Sequence, residues 1–233
     1  MAVYLLIHGS FQGGWTWKPT ARLLRRAGHD VYAPTLEGCA ERAAGLRPGI
    51  SVTTCAGELA GFLFNEDLES VVLVGTSSGG LVVEKLAVLA PGRIGRLVFV
   101  DALVPQPGQQ VRDIVERPAG APPYESTSLA RGPGREQLAS GLFADFEPAL
   151  KHWALERATL HPLGLSEPEP GELDAFWERA WEATLIRCRQ SRNPPLSHQR
   201  ATAERLGARW LEIESGHYPM LTDPEETARL LQV

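Results

Sequence analysis

The chain has 233 residues, 43% hydrophobic and 22% charged, with a formal net charge of −5 and a pI near 5.7. That length suits one domain, residues 1–233, with a sizeable core, and the acidic balance excludes a nucleic-acid surface, which needs a basic excess. No apolar run approaches the ~18 residues of a membrane span, and the three scattered cysteines, Cys39, Cys55 and Cys188, suggest neither a disulfide framework nor a metal knuckle.

Val3–Ile7 is predicted as a strand; it lacks the basic region and cleavage site of a secretory leader. The expected location is therefore the cytoplasm, with reduced thiols. Lys18–Ala27 is predicted as an amphipathic helix that turns Leu23 and Leu24 inward and ends at Gly28. Val31–Ala33 follows as a short strand and Ser51–Phe64 as a helix. Val71–Val74 is a wholly apolar strand, Leu81–Leu89 a helix that stops before Pro91, and Leu97–Val100 another buried strand. Thr184–Cys188 and Trp210–Ile213 are the last strands, and Pro224–Leu231 the last helix. Strands alternating with helices imply an α/β fold: a mostly parallel sheet covered on both faces.

Residues 105–182 interrupt the alternation, with no buried strand predicted. The first part holds the Pro- and Gly-rich stretches RPAGAPP and RGPG; the later part is helical, with Phe143, Phe146, Trp153, Phe176, Trp177 and Trp181. An insert here reads as a lid over the carboxyl edge of the sheet, where ligands bind in open α/β sheets. Its aromatics either line a pocket or fasten the lid to the body.

The strongest local pattern is Gly75-Thr-Ser77-Ser-Gly79, set between a buried strand and a helix. A serine on such a strained turn stands clear of the sheet, and small neighbours let strand and helix backbones approach. The helix N-terminus brings N–H groups to a developing oxyanion, with Ser78 N–H as one donor. Taken alone, the pattern also fits a plain strand–helix turn. The loop Ile7-His8-Gly9-Ser10-Phe11 after the first strand offers a second donor, the N–H of Ser10, with His8 read as a scaffold residue. His217 follows the last strand and supplies the imidazole that a serine nucleophile needs. His29, His152, His161 and His198 fit this role worse; His198 is placed in a polar loop.

These pieces resemble the α/β-hydrolase superfamily, whose chain order is serine, acid, histidine. With GHDVYAPTLEG, LVFVDALVP and GHYPMLTDP, the chain is similar to a branch that holds small plant methylesterases, hydroxynitrile lyases and bacterial esterase relatives. The resemblance implies a serine mechanism without metal or cofactor, under a helical cap. It says little about substrate; a small-molecule ester or lactone is the expected one, no nucleic-acid or membrane partner is expected, and the sequence is compatible with a homodimer. Hydroxynitrile lyases typically carry a threonine where this chain has Gly9 and a lysine where it has Tyr218, so lyase activity is not expected. Epoxide or haloalkane hydrolysis would need a carboxylate in place of Ser77.

Plant members usually carry the acid shortly after the penultimate strand. Here residues 188–195, CRQSRNPP, contain no carboxylate, and Ser191 is the nearest match. By elimination and position the acid is Asp101, at the end of Leu97–Val100, although a lone Asp there also suits a loop anchor. Glu212 and Glu214 lie too close to His217 in sequence or point away, and Asp223 before Pro224 reads as a helix cap. Phe11, Leu103, Trp153 and Tyr218 are the candidate pocket lining. The expected function is hydrolysis of small esters. A lactonase, thioesterase or cyclase of specialised metabolism would use the same residues, and a non-catalytic binding protein on this scaffold is the reading from another class.

Overall fold

The computed structural model describes residues 1–116 and 120–233; residues 117–119, in the RPAGAPP stretch of the insert, lie outside the described residues. Its first half runs β1 (Val3–Ile7), α1 (Lys18–Arg26), β2 (Asp30–Tyr32), α2 (Val52–Asn65), β3 (Val71–Ser77), α3 (Gly79–Leu89) and β4 (Ile94–Ala102). Then come α4 (Val111–Ile114), β5 (Glu125–Ser126), β6 (Ala130–Gly132), α5 (Arg135–Ser140), α6 (Pro148–Leu155), β7 (His161–Pro162) and α7 (Leu163–Ser166). The chain closes with β8 (Ala183–Cys188), α8 (Leu196–Leu206), β9 (Arg209–Ile213), α9 (Pro219–Thr222) and α10 (Pro224–Leu231).

The main sheet has the order β2-β1-β3-β4-β8-β9, with every neighbouring pair parallel. Successive strand residues face opposite sides, so the continuous apolar runs divide into two cores. Leu6, Val72, Val74, Val98, Val100 and Ile186 pack with Leu24 of α1 and Leu230 of α10. Leu5, Ile7, Leu73, Leu97, Phe99 and Leu185 pack with Leu59 of α2, Val83 of α3 and Ala203 of α8. Between β1 and β3 the strand order reverses, because β2 lies on one side of β1 and all later strands on the other. The carboxyl ends of β1 and β3 therefore open the crevice where ligands of such sheets bind.

The structure departs from expectation in two places. Residues 105–182 contain a small antiparallel sheet, β5-β6-β7, and Ala130, Gly132, His161 and Pro162 in it are buried. Strands of two or three residues are too short to show an alternation. The supposed polar loop around His198 is α8, an eleven-residue helix ended by Gly207 in the left-handed region. Its buried face consists of His198, Gln199, Thr202 and Ala203, and so carries no apolar stripe to read. Among the described residues, no helix is long and apolar enough to cross a membrane.

Candidate active site

Ser77 closes β3 with φ of 52°, a left-handed conformation that costs on the order of 1–3 kcal/mol in a non-glycine residue. The turn is forced by close packing. A Cβ on Gly79 would lie 2.7 Å from the His8 carbonyl oxygen, so the first turn of α3 meets the end of β1 backbone to backbone. A Cβ on Gly9 would lie 2.6 Å from the Ser77 Cβ and 3.2 Å from its Oγ. Glycine at position 9 is thus what lets the loop after β1 lie against the serine, and a threonine there does not fit without displacing it.

That loop and the head of α3 are tied together, since Ser10 Oγ and Ser78 Oγ are 2.7 Å apart. Ser78 occupies the N-cap position of α3 without a side-chain cap bond, at the helix end where unpaired N–H groups gather. His8 staples the loop from below: its Nδ1–H donates to the Gly9 carbonyl at 2.8 Å, and its Nε2 accepts the Leu36 N–H at 3.0 Å. Fully buried, His8 is pushed down to about 4 and stays neutral.

Asp101 lies across from this pair on β4. Thr76 pairs with Val100 but Ser77 pairs with Ala102, so Asp101 is the extra residue of a β-bulge, with φ of 46°. A bulge re-aims one side chain out of the strand alternation. It turns the Asp101 carboxylate, wholly buried, toward the loop after β9, where Oδ2 lies 2.6 Å from His217 Nδ1. Asp101 Oδ1 accepts the Gln199 Nε2–H at 2.9 Å. Ser191 Oγ donates to the Asn193 carbonyl at 3.0 Å and stands 3.5 Å from His217 Nδ1. Position 191 thus faces the same ring nitrogen from the loop after β8, without a charge. The structure brings His217 to Asp101 and Ser10 to Ser78; it records no hydrogen bond between Ser77 and His217, a contact that is often loose in free enzymes.

The other carboxylates lie elsewhere. Glu212 pairs with Arg187, Arg189 and Arg200, and Glu214 with Arg189. Asp223 caps α10 by accepting the Glu226 N–H at 3.2 Å. Phe11, Leu103 and Tyr218 are buried. Tyr218 stands edge-on to His217 and packs against Phe143 and Phe146 of the insert. Trp153 is half-buried, and its ring partners are Trp15 and Arg157 instead. The open cleft behind the histidine loop is polar, with Asp145, Gln190, Glu214 and Asp223 in its wall. Sequence reading missed Gln199, because nothing in LSHQRATAERL marks a helix that faces the site.

Residues 4–230 match the profile of the alpha/beta hydrolase family. The chain belongs to that family. It is 36% identical to a carbendazim hydrolyzing esterase of Nocardioides sp. (strain SG-4G) over 132 residues, 57% of this chain and 54% of that one. It is 27% identical to salicylic acid-binding protein 2 of Nicotiana tabacum over 99% of this chain and 96% of that protein. Among solved structures, an extracellular alpha/beta-hydrolase from a Paenibacillus species superposes with a TM-score of 0.81 at 22% identity, covering 99% of this chain and 98% of that one. At that identity the likeness concerns the fold, and the parallel sheet with helices on both faces agrees with it.

Proposed function

We propose that the chain is a serine esterase that cleaves small carboxylic esters through an acyl-enzyme. The observation that carries this reading is the 2.6 Å contact of His217 Nδ1 with the buried Asp101 carboxylate, at the sheet edge that also holds the strained Ser77 turn. With Nδ1–H engaged, Nε2 is left as the base. Ser77 Oγ attacks the ester carbonyl as Nε2 takes its proton. The oxyanion is received by the N–H groups of Ser10 and Ser78, each contributing about 3 kcal/mol at the transition state. His217 then protonates the leaving alkoxide, and water activated by the same ring cleaves the acyl-enzyme. Asp101 holds the tautomer and stabilises the imidazolium throughout.

The esterase relatives support the ester class, and the tight fit of Gly9 against Ser77 argues for hydrolysis over cyanohydrin cleavage. The described residues of the insert, 105–116 and 120–182, form a lid on a single domain, and the buried Phe11, Leu103 and Tyr218 supply apolar wall beneath it, with Trp153 further out. Three buried, unpaired cysteines support a reducing, cytoplasmic setting. The test is labelling with a fluorophosphonate, followed by hydrolysis of p-nitrophenyl esters. Ser77→Ala abolishes labelling and lowers kcat by about 10⁶-fold. Substantial activity in the purified variant would remove Ser77 as the nucleophile.

A further inference from the structure

Asp101 is a carboxylate from which water has been removed, and such a group needs donors on both oxygens to hold a fixed orientation. Oδ2 has His217. Oδ1 has Gln199, a fully buried residue in the first turn of α8. The Gln199 amide nitrogen donates twice, to Asp101 Oδ1 at 2.9 Å and to the Pro194 carbonyl at 2.8 Å. Both partners are pure acceptors, so the amide cannot be reversed without losing both bonds. One side chain thereby ties the bulge on β4 to the loop after β8, the loop whose Ser191 faces His217.

We propose that Gln199 is the positioning residue of the acid–base pair. It holds the Asp101 carboxylate with one oxygen on His217 and spreads its charge toward the second oxygen. The inference rests on the esterase reading above, in which Asp101 and His217 act together. Gln199 touches no reacting atom; it acts through Asp101. A donor into the far oxygen lowers the basicity of the near one, so Gln199 moderates how strongly Asp101 draws the imidazolium. Titratable groups around the pair include Cys188, Tyr218 and Asp145, with Arg187 acting on Cys188, Tyr124 on Tyr218, and His198 beside Gln199 on α8. Burial keeps the Cys188 thiol and the Tyr218 hydroxyl protonated, so neither adds a charge beside Asp101.

The test uses the full chain and p-nitrophenyl acetate, with kcat and KM measured across pH for the native protein, Gln199→Leu, Gln199→Glu and Asp101→Asn. Gln199→Leu keeps the side-chain volume but removes the donor. Expected are a fall in kcat of about tenfold to a hundredfold, little change in KM, and an acid limb of kcat/KM moved to higher pH. The far-downfield proton resonance of the His217–Asp101 hydrogen bond should move as well. In Gln199→Glu a second carboxyl abuts Asp101 and holds its proton to higher pH than usual. While protonated it donates to Oδ1, so this variant recovers most of the lost kcat above the acid limb, where His217 is neutral, and loses it again as that carboxyl ionises at higher pH, a bell in place of a single limb. A folded Gln199→Leu with native kcat and an unmoved limb would sink the proposal. So would equal losses in both Gln199 variants at every pH, which mean a packing role only. If Gln199→Leu does not fold, the bell of Gln199→Glu, present or absent, decides. Asp101→Asn separates the two levels: if it retains native kcat, the acid assignment itself is wrong, and if it alone loses activity, only the role of Gln199 is.

Discussion

Among the described residues, Asp101 and Glu84 are two wholly buried carboxyl groups with opposite surroundings. Asp101, on the bulge of β4, is met by His217 on one oxygen and Gln199 on the other. Glu84, on α3, faces the turn Asp174–Glu178 of the insert, and neither of its oxygens finds a partner among the described residues. The nearby Trp177 indole N–H is committed to the Pro105 carbonyl at 2.8 Å. Burial pushes Glu84 well above the usual carboxylate range, opposed by the nearby Trp177 indole and helped by the charge of Asp174, so the fold favours its neutral form. Burial alone favours the neutral acid; donors aimed at the carboxyl oxygens favour the anion.

The largest expected effect comes from neutralising the supported member. Asp101→Asn should cost on the order of 10⁴ in kcat, because an amide favours the wrong imidazole tautomer; near-native kcat would break the contrast. The empty place at 191 sharpens it. Ser191 Oγ lies 3.5 Å from His217 Nδ1, and an aspartate there is one atom longer. In the double variant Asp101→Asn with Ser191→Asp, kcat should return to within about 100-fold of native. A double variant no better than the single one would mean that support, and not reach, decides where the acid can sit.

Smaller effects concern stability. Burial holds His8 and His198 down to about 4 and His161 down to about 3. Their folded values lie below the unfolded 6.5, so unfolding takes up protons and stability is lost as pH falls from about 6.5 toward 4. Tm should drop by several degrees over that window, and a flat Tm would contradict it. Glu84 has the opposite sign: its folded value is raised, so its contribution is complete below about 4.5 and is lost as pH rises. Glu84→Gln should leave kcat unchanged and raise Tm at pH 8 by about 2–4 °C, with the gain vanishing toward pH 4. An equal gain at both pH values would show that the group's ionisation is not what the fold resists.

From the sequence alone, the strands with continuous apolar runs, VVLV and LVFV, were legible, because a sheet covered on both faces admits little else. The small residues around Ser77 and the histidine after the last strand could be read for the same kind of reason: each chemistry restricts the residue types at a short spacing. The place of Asp101 followed only by elimination, and its orientation could not be read, since the bulge at Thr76–Ser77 arises from pairing between two distant strands. Gln199 and the three short strands of the insert were also beyond reach. A helix whose buried face is Gln199, Thr202 and Ala203 has no apolar period, and a two-residue strand has no period at all. Local patterns record which face of an element is buried in apolar surroundings; which oxygen a buried carboxylate offers, and to whom, is settled only when segments about 100 residues apart are brought within hydrogen-bond distance.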